Sequence, residues 1–162
     1  MEIRQARVPN EVPAVRVLFR EYAAGLDIDL CFQRFEEELA GLPGAYAPPD
    51  GSLLVVDAGP NLGGCVAFRR HAPEVCEMKR LYVRPAFRGL GLGRQLIDRL
   101  AAEAVAAGYR AMVLDTLPVM SEAIGLYRSA GFVETEPYTF NPVPGAMYFR
   151  KALIAPTLTG PT

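Results

Sequence analysis

A chain of 162 residues with 17 Lys and Arg against 18 Asp and Glu has a formal net charge of −1, so no overall field draws it to nucleic acid. Hydrophobic residues make up 51% and charged residues 22%, which suits a soluble globular protein, expected as one domain over residues 1–154, and no run approaches roughly 18 apolar residues, so no membrane span is expected. The opening "MEIRQARVPN" lacks the basic-then-apolar layout of a signal peptide, and Cys31, Cys65 and Cys76 are odd in number without CxxC spacing, so the expectation is a cytoplasmic protein with reduced thiols; a Cys65–Cys76 bridge between neighbouring strands is the alternative.

In chain order, "EIRQARV" (2–8) alternates apolar and polar residues and reads as a strand. "VPAVRVLFREYAAGL" (12–26) has Val15, Leu18, Phe19 and Tyr22 at helical spacing, with Asn10 as a candidate N-cap and Gly25 as a candidate C-cap. "DLCFQRFEEELAGL" (29–42) predicts a second helix with Phe32, Phe35 and Leu39 on one side. "SLLVVDA" (52–58) is a buried strand, and "GPNLGG" (59–64) turns it into "CVAFRR" (65–70) as an antiparallel hairpin. "EVCEMKRLYV" (74–83) is a further strand, ended by Pro85. The helix at 91–107 carries Leu92, Leu96, Leu100 and Ala104 at steps of four, and Gly108 stops it. "YRAMVLDT" (109–116) reads as a strand, "SEAIGLYRSAG" (121–131) as a short helix and "AMYFRKAL" (146–153) as a last strand, with a short extra strand near "FVETE" (132–136). Residues 155–162 have no periodicity and are expected to form a disordered tail. The order β-α-α-β-β-β-α-β-α-β predicts a mixed sheet with helices on both faces.

"RGLGLG" (88–93) lies between the fourth strand and the third helix. A glycine-rich turn opening a helix attracts phosphate through bare N–H groups and the helix dipole. A dinucleotide fingerprint fails, because from Gly89 or Gly91 the third glycine would fall at Arg94 or Leu96. Asp115 ends a strand where a ribose-binding acid would sit, but the glycine spacing and the mid-chain position are wrong for that role. A P-loop fails because Gly93 is followed by Arg94 and Gln95.

"EMKRLYVRPAFRGLGLGRQLI" resembles the signature segment of the GNAT N-acetyltransferase superfamily, written [QR]xxGx[GA], with Arg88, Gly91 and Gly93 in the matching places. "AIGLYRSAGF" (123–132) resembles the second segment, LYxxxGF, through Leu126, Tyr127, Gly131 and Phe132. The close match covers about residues 74–133. The resemblance implies an α/β (α+β) fold. Its central mixed, mostly antiparallel sheet has six to seven strands, about four flanking helices and a splay between the fourth and fifth strands. It also implies acetyl-CoA as cofactor. The pyrophosphate would sit on Arg88, Gly89, Leu90, Gly91, Leu92, Gly93 and Arg94, and the pantetheine arm would pair with the backbone of Leu81, Tyr82 and Val83 like an added strand.

Acetyl transfer to an amine makes three demands. An amine of pKa near 10.4 costs about 4.6 kcal/mol to neutralise at pH 7, which argues for a base or an ordered water path. The oxyanion needs a donor, which the resemblance places among the N–H groups near Leu81 to Val83. The departing thiolate needs a proton, and Tyr127, at the tyrosine of the second segment and beside the cofactor, is the candidate acid. Glu77 is the candidate base and a candidate acceptor contact. It is a mid-strand carboxylate expected on one face with Val75, Lys79, Leu81 and Val83, its pKa raised by burial and opposed by Lys79 or Arg80; the structural alternative is a salt bridge. An asparagine that often contacts the cofactor arm in the family is replaced here by Met120.

The acceptor is expected between the first two helices and the loop before the last strand, walled by Tyr22, Phe32, Tyr138 and Phe140, with Asp27 or Asp29 either attracting an amine or forming a solvated turn. The "EEE" triplet (36–38) reads as a solvated helix face, His71 has no obvious partner, and no metal-ligand spacing is present. The expected function is N-acetyl transfer from acetyl-CoA to a primary amine of a small molecule, amino acid or peptide; a homodimer is allowed and no nucleic-acid or membrane partner is expected. The alternative is a noncatalytic acyl-CoA-binding sensor or recruitment module.

Overall fold

The computed structural model describes residues 1–26 and 34–154. The predicted Phe32, Asp27, Asp29, Cys31 and the 155–162 tail lie outside the described residues.

The elements run β1 (Glu2–Gln5), α1 (Val12–Leu26), α2 (Phe35–Ala40), β2 (Ser52–Asp57), β3 (Leu62–Ala72), β4 (Val75–Val83), α3 (Leu92–Ala106), β5 (Ala111–Thr116), α4 (Ser121–Ser129), β6 (Val133–Glu134) and β7 (Met147–Ala152). The strands form one seven-stranded sheet in the order β1-β2-β3-β4-β5-β7-β6. Every neighbouring pair is antiparallel except β4 with β5, which α3 joins by a crossover. This is the mixed, mostly antiparallel sheet that the sequence predicts.

Both faces of the sheet are covered, which is why "LLVV" (53–56) is apolar without a break. Leu54, Val56, Val66 and Phe68 pack with Leu96, Ile97 and Leu100 of α3. Leu53, Val55, Cys65 and Ala67 pack on the other side with Val15, Leu18 and Phe19 of α1 and with Phe35, Leu39 and Tyr46. The predicted stripe on α3 is therefore core along its length.

Several boundaries differ from the sequence reading. β3 takes in Leu62 to Gly64 and His71 to Ala72, because the ladder pairs Asp57 with Leu62 and Ala72 with Val75 and leaves only short turns between strands. A Cβ on Gly64 would lie 2.5 Å from the Tyr82 carbonyl oxygen, so this glycine serves close strand packing rather than a turn. Only Phe35–Ala40 of the predicted second helix is described as helix. Gly25 lies inside α1 rather than capping it.

At the start of α1 the polar contact comes from Glu11, not Asn10: the Glu11 carboxylate accepts from the Arg7 N–H at 2.7 Å and from both terminal nitrogens of Arg4 at 2.8 Å. The hydrogen bonds and charge of Arg4 hold the Glu11 carboxyl down at about 2 against an ordinary 4.5. A carboxylate with a lowered folded-state pKa contributes stability above its unfolded value and loses it as pH falls towards the folded value. Glu11→Gln is therefore expected to cost about 1 kcal/mol at pH 7, after allowance for solvent screening, with the difference fading between about pH 4.5 and pH 2. Denaturant unfolding of the two proteins across that range checks it.

Candidate active site

β4 and β5 pair only from Val75–Ala111 to Glu77–Val113. Beyond that point the β4–β5 ladder ends and the strands splay. β4 also carries a bulge. Cys65 opposes Tyr82 and Ala67 opposes Lys79, so β4 advances three residues while β3 advances two. The extra residue includes Arg80 at φ 64, a left-handed conformation that costs a non-glycine residue about 1–2 kcal/mol.

Arg80 is held there by its side chain. The guanidinium donates two 2.9 Å bonds to the Glu38 carboxylate and lies over the rings of Phe35 at 5.1 Å and Tyr22 at 5.7 Å. Glu38 is thus a half-buried partner, unlike the solvated triplet read from "EEE". The bulge breaks the strict alternation expected for β4. Leu81 and Val83 join Cys76 and Met78 against the α3 side, whereas Tyr82 packs towards α1. Glu77 and Lys79 are not on one face with Leu81 and Val83.

The splay opens a cleft of about 430 Å³. Its walls are the outer part of β4 (Leu81, Tyr82, Val83), the glycine loop, Met120 and the first turns of α4. Gly91 stands at the N-cap of α3 with φ 76, and Gly89 has φ 80. A side chain at either position would strain the backbone although space is open, since the nearest atom to a Cβ on Gly91 is Gln95 Nε2 at 3.8 Å and a Cβ on Gly89 meets nothing within 4 Å. The N–H groups of Leu92, Gly93 and Arg94 belong to the first helical turn, which lacks intrahelical acceptors. These features fit an anionic group held by backbone.

Gly93 does a different job. A Cβ on it would meet Leu126 at 2.9 Å, so it lets α4 approach α3. Of the predicted cofactor contacts, Leu81, Tyr82, Val83, Arg88, Gly89, Gly91, Leu92, Gly93 and Arg94 line the cleft, but Leu90 does not and is exposed. The arginine heads are already engaged. Arg88 Nε donates to the Val83 carbonyl at 2.9 Å, and Arg94 bonds Asp98 and the Ser129 carbonyl.

The second sequence segment is a helix stop. Gly131 has φ 95 and donates to Arg128 O, while the Phe132 N–H reaches back to Tyr127 O at 3.0 Å, the paired bonds that close a helix on a left-handed residue. The Tyr127 and Phe132 rings meet edge-on at 6.0 Å, so the tyrosine-to-phenylalanine spacing fixes the orientation of Tyr127.

Tyr127 lines a second, smaller cavity of about 40 Å³, with Tyr22, Leu26, Met78, Lys79, Arg80, Leu81, residues 114–117, Met120 and Asn141. It touches the cleft through Tyr22, Leu26, Leu81 and Met120. Burial, with smaller contributions from Tyr22 and Asp115, raises the Tyr127 hydroxyl above its ordinary value, so it stays protonated at neutral pH.

The predicted acceptor residues separate here. Tyr22 lines both spaces. Phe140 does not wall a pocket: it is 84% exposed, while its neighbour Asn141 turns inward to donate to Asp115 Oδ2 at 3.0 Å. Tyr138 is not in the lining either; its hydroxyl donates to Glu77 Oε2 at 2.7 Å, and its ring packs on His71 at 4.9 Å and Tyr148 at 5.7 Å. His71 therefore has an aromatic partner that the sequence does not reveal.

Glu77 is buried, accepts from Arg69 at 2.9 Å and from Tyr138, and does not line the cavity. Burial pushes its carboxyl up, but the charges of Lys79 and Arg69 and the hydrogen bonds from Tyr138 and Arg69 outweigh it and hold the group below the ordinary range. The expected rise is thus reversed, because the salt-bridge alternative holds: both Glu77 oxygens are occupied and the proton affinity is reduced. Lys79, also buried, lies 4.0 Å from Glu77 and 3.8 Å from Asp115. Burial lowers its ammonium pKa against the pull of those carboxylates. Lys79, Asp115 and Asn141 are cavity residues that sequence reasoning did not assign; for Lys79 and Asp115 the available signal was charge inside the strands "CEMKRLYV" and "AMVLDT".

Among the described residues no group of three or more His, Cys, Asp or Glu could hold a metal ion, and no helix is long and apolar enough to cross a membrane.

Comparisons with known proteins agree with this architecture. Residues 13–132 match the model of the Acetyltransferase (GNAT) family. An uncharacterised N-acetyltransferase of Schizosaccharomyces pombe is 41% identical over 152 residues, covering 93% of this chain and 93% of that protein. A GNAT-family acetyltransferase of Staphylococcus aureus has the same fold, with a TM-score of 0.78, 16% identity, and coverage of 94% of this chain and 99% of that one. A Salmonella typhimurium chain solved with acetyl-CoA superimposes with a TM-score of 0.72 at 24% identity, over 98% of each chain. With its splayed β4 and β5, its glycine loop opening α3 and its family match across most of its length, this chain belongs to the GNAT acetyltransferase family.

Proposed function

We propose that the protein moves an acetyl group from acetyl-CoA to a primary amine by direct attack, with the donor in the cleft and the amine in the adjoining cavity. The observation that carries this reading is the meeting of the two spaces at Leu81, Tyr22 and Met120, with Tyr127 beside the junction. The pyrophosphate lies against the backbone of residues 88–94, and the pantetheine arm follows the open side of β4. Past the bulge at Arg80, Tyr82 and Val83 pair with β3 again while the β5 side of β4 stays open, and one of the N–H groups from Leu81 to Val83 donates to the developing oxyanion. Tyr127 gives its proton to the departing thiolate. Glu77 holds Tyr138 and the end of the paired β4–β5 segment in place.

The experiment is free-thiol release from acetyl-CoA over a set of primary amines, amino acids and peptides, alongside calorimetric titration with coenzyme A. Turnover with at least one amine is expected. Binding of coenzyme A without turnover on any amine would favour a sensor or recruitment module instead. Glu77→Gln is expected to lower thermal stability more than it changes the dependence of rate on acceptor pKa; a rate penalty that grows with acceptor pKa would return the base to Glu77.

A further inference from the structure

We infer that Asp115, rather than Glu77, receives the proton of the acceptor amine. The inference rests on the acetyl-transfer reading above and names a further residue for that reaction.

Asp115 is the one carboxylate lining the small cavity among the described residues, and Tyr127 lines the same cavity. It stands near the C-terminal end of β5, past the last β4–β5 pair, where the strands have separated and a substrate atom has room to enter between them. Its side chain is 8% exposed. Its two oxygens are held differently. Oδ2 accepts from Asn141 Nδ2 at 3.0 Å, which fixes the plane of the carboxylate. Oδ1 lies 3.8 Å from Lys79 Nζ, an ion pair too long for a hydrogen bond. Glu77, by contrast, has both oxygens in short hydrogen bonds and does not reach the cavity.

The groups around Asp115 come from every side. Lys79 and Arg80 project from β4, with Glu77 behind Lys79. Tyr22 comes from α1 and Tyr127 from α4, and Asp115 contributes to the raised pKa of each hydroxyl. Tyr148 opposes Asp115 on β7, and Tyr138 and Asn141 come from the loop before it. This makes a paired site. A carboxylate accepts a proton from the incoming nitrogen, and a protonated phenol supplies one to sulfur.

The step balances. The acceptor enters as an ammonium, and Asp115 takes one proton from it and later releases that proton to solvent. The freed nitrogen pair forms the C–N bond at the thioester carbon. The C–S bond then breaks and sulfur keeps its electron pair. Tyr127 protonates the sulfur, and the surplus proton on the adduct nitrogen replaces the one that Tyr127 gave up. Ammonium and thioester become amide, thiol and one released proton.

The test is Asp115→Asn, which keeps the size of the side chain and an oxygen for Asn141. Rates are measured as kcat/KM on acceptors spanning a range of amine pKa, with the parent protein in parallel. The expected loss is about 10²–10⁴-fold near neutral pH for an alkylamine. The loss should shrink towards none for amines of low pKa, and at high pH where the amine is already neutral. A ratio of parent to variant that is near one, or that is the same for every acceptor and pH, overturns the inference; the latter marks a carboxylate that only positions the substrate. Asp115→Glu should retain the rise of kcat/KM with pH, and losing it would also overturn the inference. If Asp115→Asn fails to fold by thermal melting, Asp115→Ser is measured in its place with the same expectations. Turnover by the parent separates the two readings: a parent inactive on every amine overturns the proposed function, whereas an active parent with an equally active variant overturns only the role of Asp115.

Discussion

Phenylalanine at position 127 is expected to lower kcat by about 10²–10⁴-fold, the usual contribution of a positioned acid, while coenzyme A affinity stays nearly unchanged. The substitution keeps the ring that meets Phe132 and Phe149 at about 6 Å, so the turn at Gly131 and the packing of α4 are preserved. Only the hydroxyl is lost, and with it the proton that sulfur needs. Burial raises the pKa of Tyr127, which weakens it as an acid towards water. The same burial raises the proton affinity of a thiolate formed beside it, so transfer between the two remains favourable. The measurement is steady-state kcat with a confirmed acceptor, supported by a pre-steady-state rate showing that chemistry limits turnover. Equal kcat for the two proteins under that condition would remove Tyr127 from the acid role.

Glutamate at position 91 is expected to weaken coenzyme A binding by at least about 100-fold. Two costs add. A side chain at φ 76 strains the backbone by about 1–2 kcal/mol. A carboxylate beside the N–H groups of residues 88–94 also occupies the place of the pyrophosphate and repels it. Gly91→Ala separates the two, because it carries the strain without the charge and its methyl group meets nothing closer than Gln95 at 3.8 Å. The alanine variant should therefore bind more weakly than the parent and more tightly than the glutamate variant in calorimetry. Equal affinity of the parent and the glutamate variant would place the pyrophosphate elsewhere.

The features legible in the amino-acid order share one property: the atoms that make them are close along the chain. The α3 stripe of Leu92, Leu96, Leu100 and Ala104 is a period of the helix itself, and all four residues are buried. The glycine loop states its left-handed turns directly. The Tyr127-to-Phe132 spacing is a helix stop that closes within one turn and also aims the tyrosine. The strand and helix periods predict the mixed sheet, and the glycine turn, with the family resemblance, points to an anion site between β4 and α3.

The acceptor side was different, because it depends on register and on partners far away in the chain. One extra residue at Arg80 reverses the faces of the rest of β4, and a period of two read along "CEMKRLYV" carries no sign of it. What holds Arg80 there is Glu38, 42 residues earlier, in a triplet that alone reads as solvated surface. Glu77 is the more conspicuous carboxylate in the sequence, yet Arg69 and Tyr138 occupy its oxygens and lower its proton affinity. Asp115 is the less conspicuous one, and the splay of β5 from β4 turns it into the cavity. Neighbouring Phe140 and Asn141 point opposite ways, one to solvent and the other to Asp115. Local chemistry thus points to the site proposed for the anionic donor, since backbone N–H groups and a helix end need only adjacent residues. The geometry of the cavity proposed for the amine comes from tertiary packing, because a buried charge takes its environment from whichever strand and helix the fold brings against it.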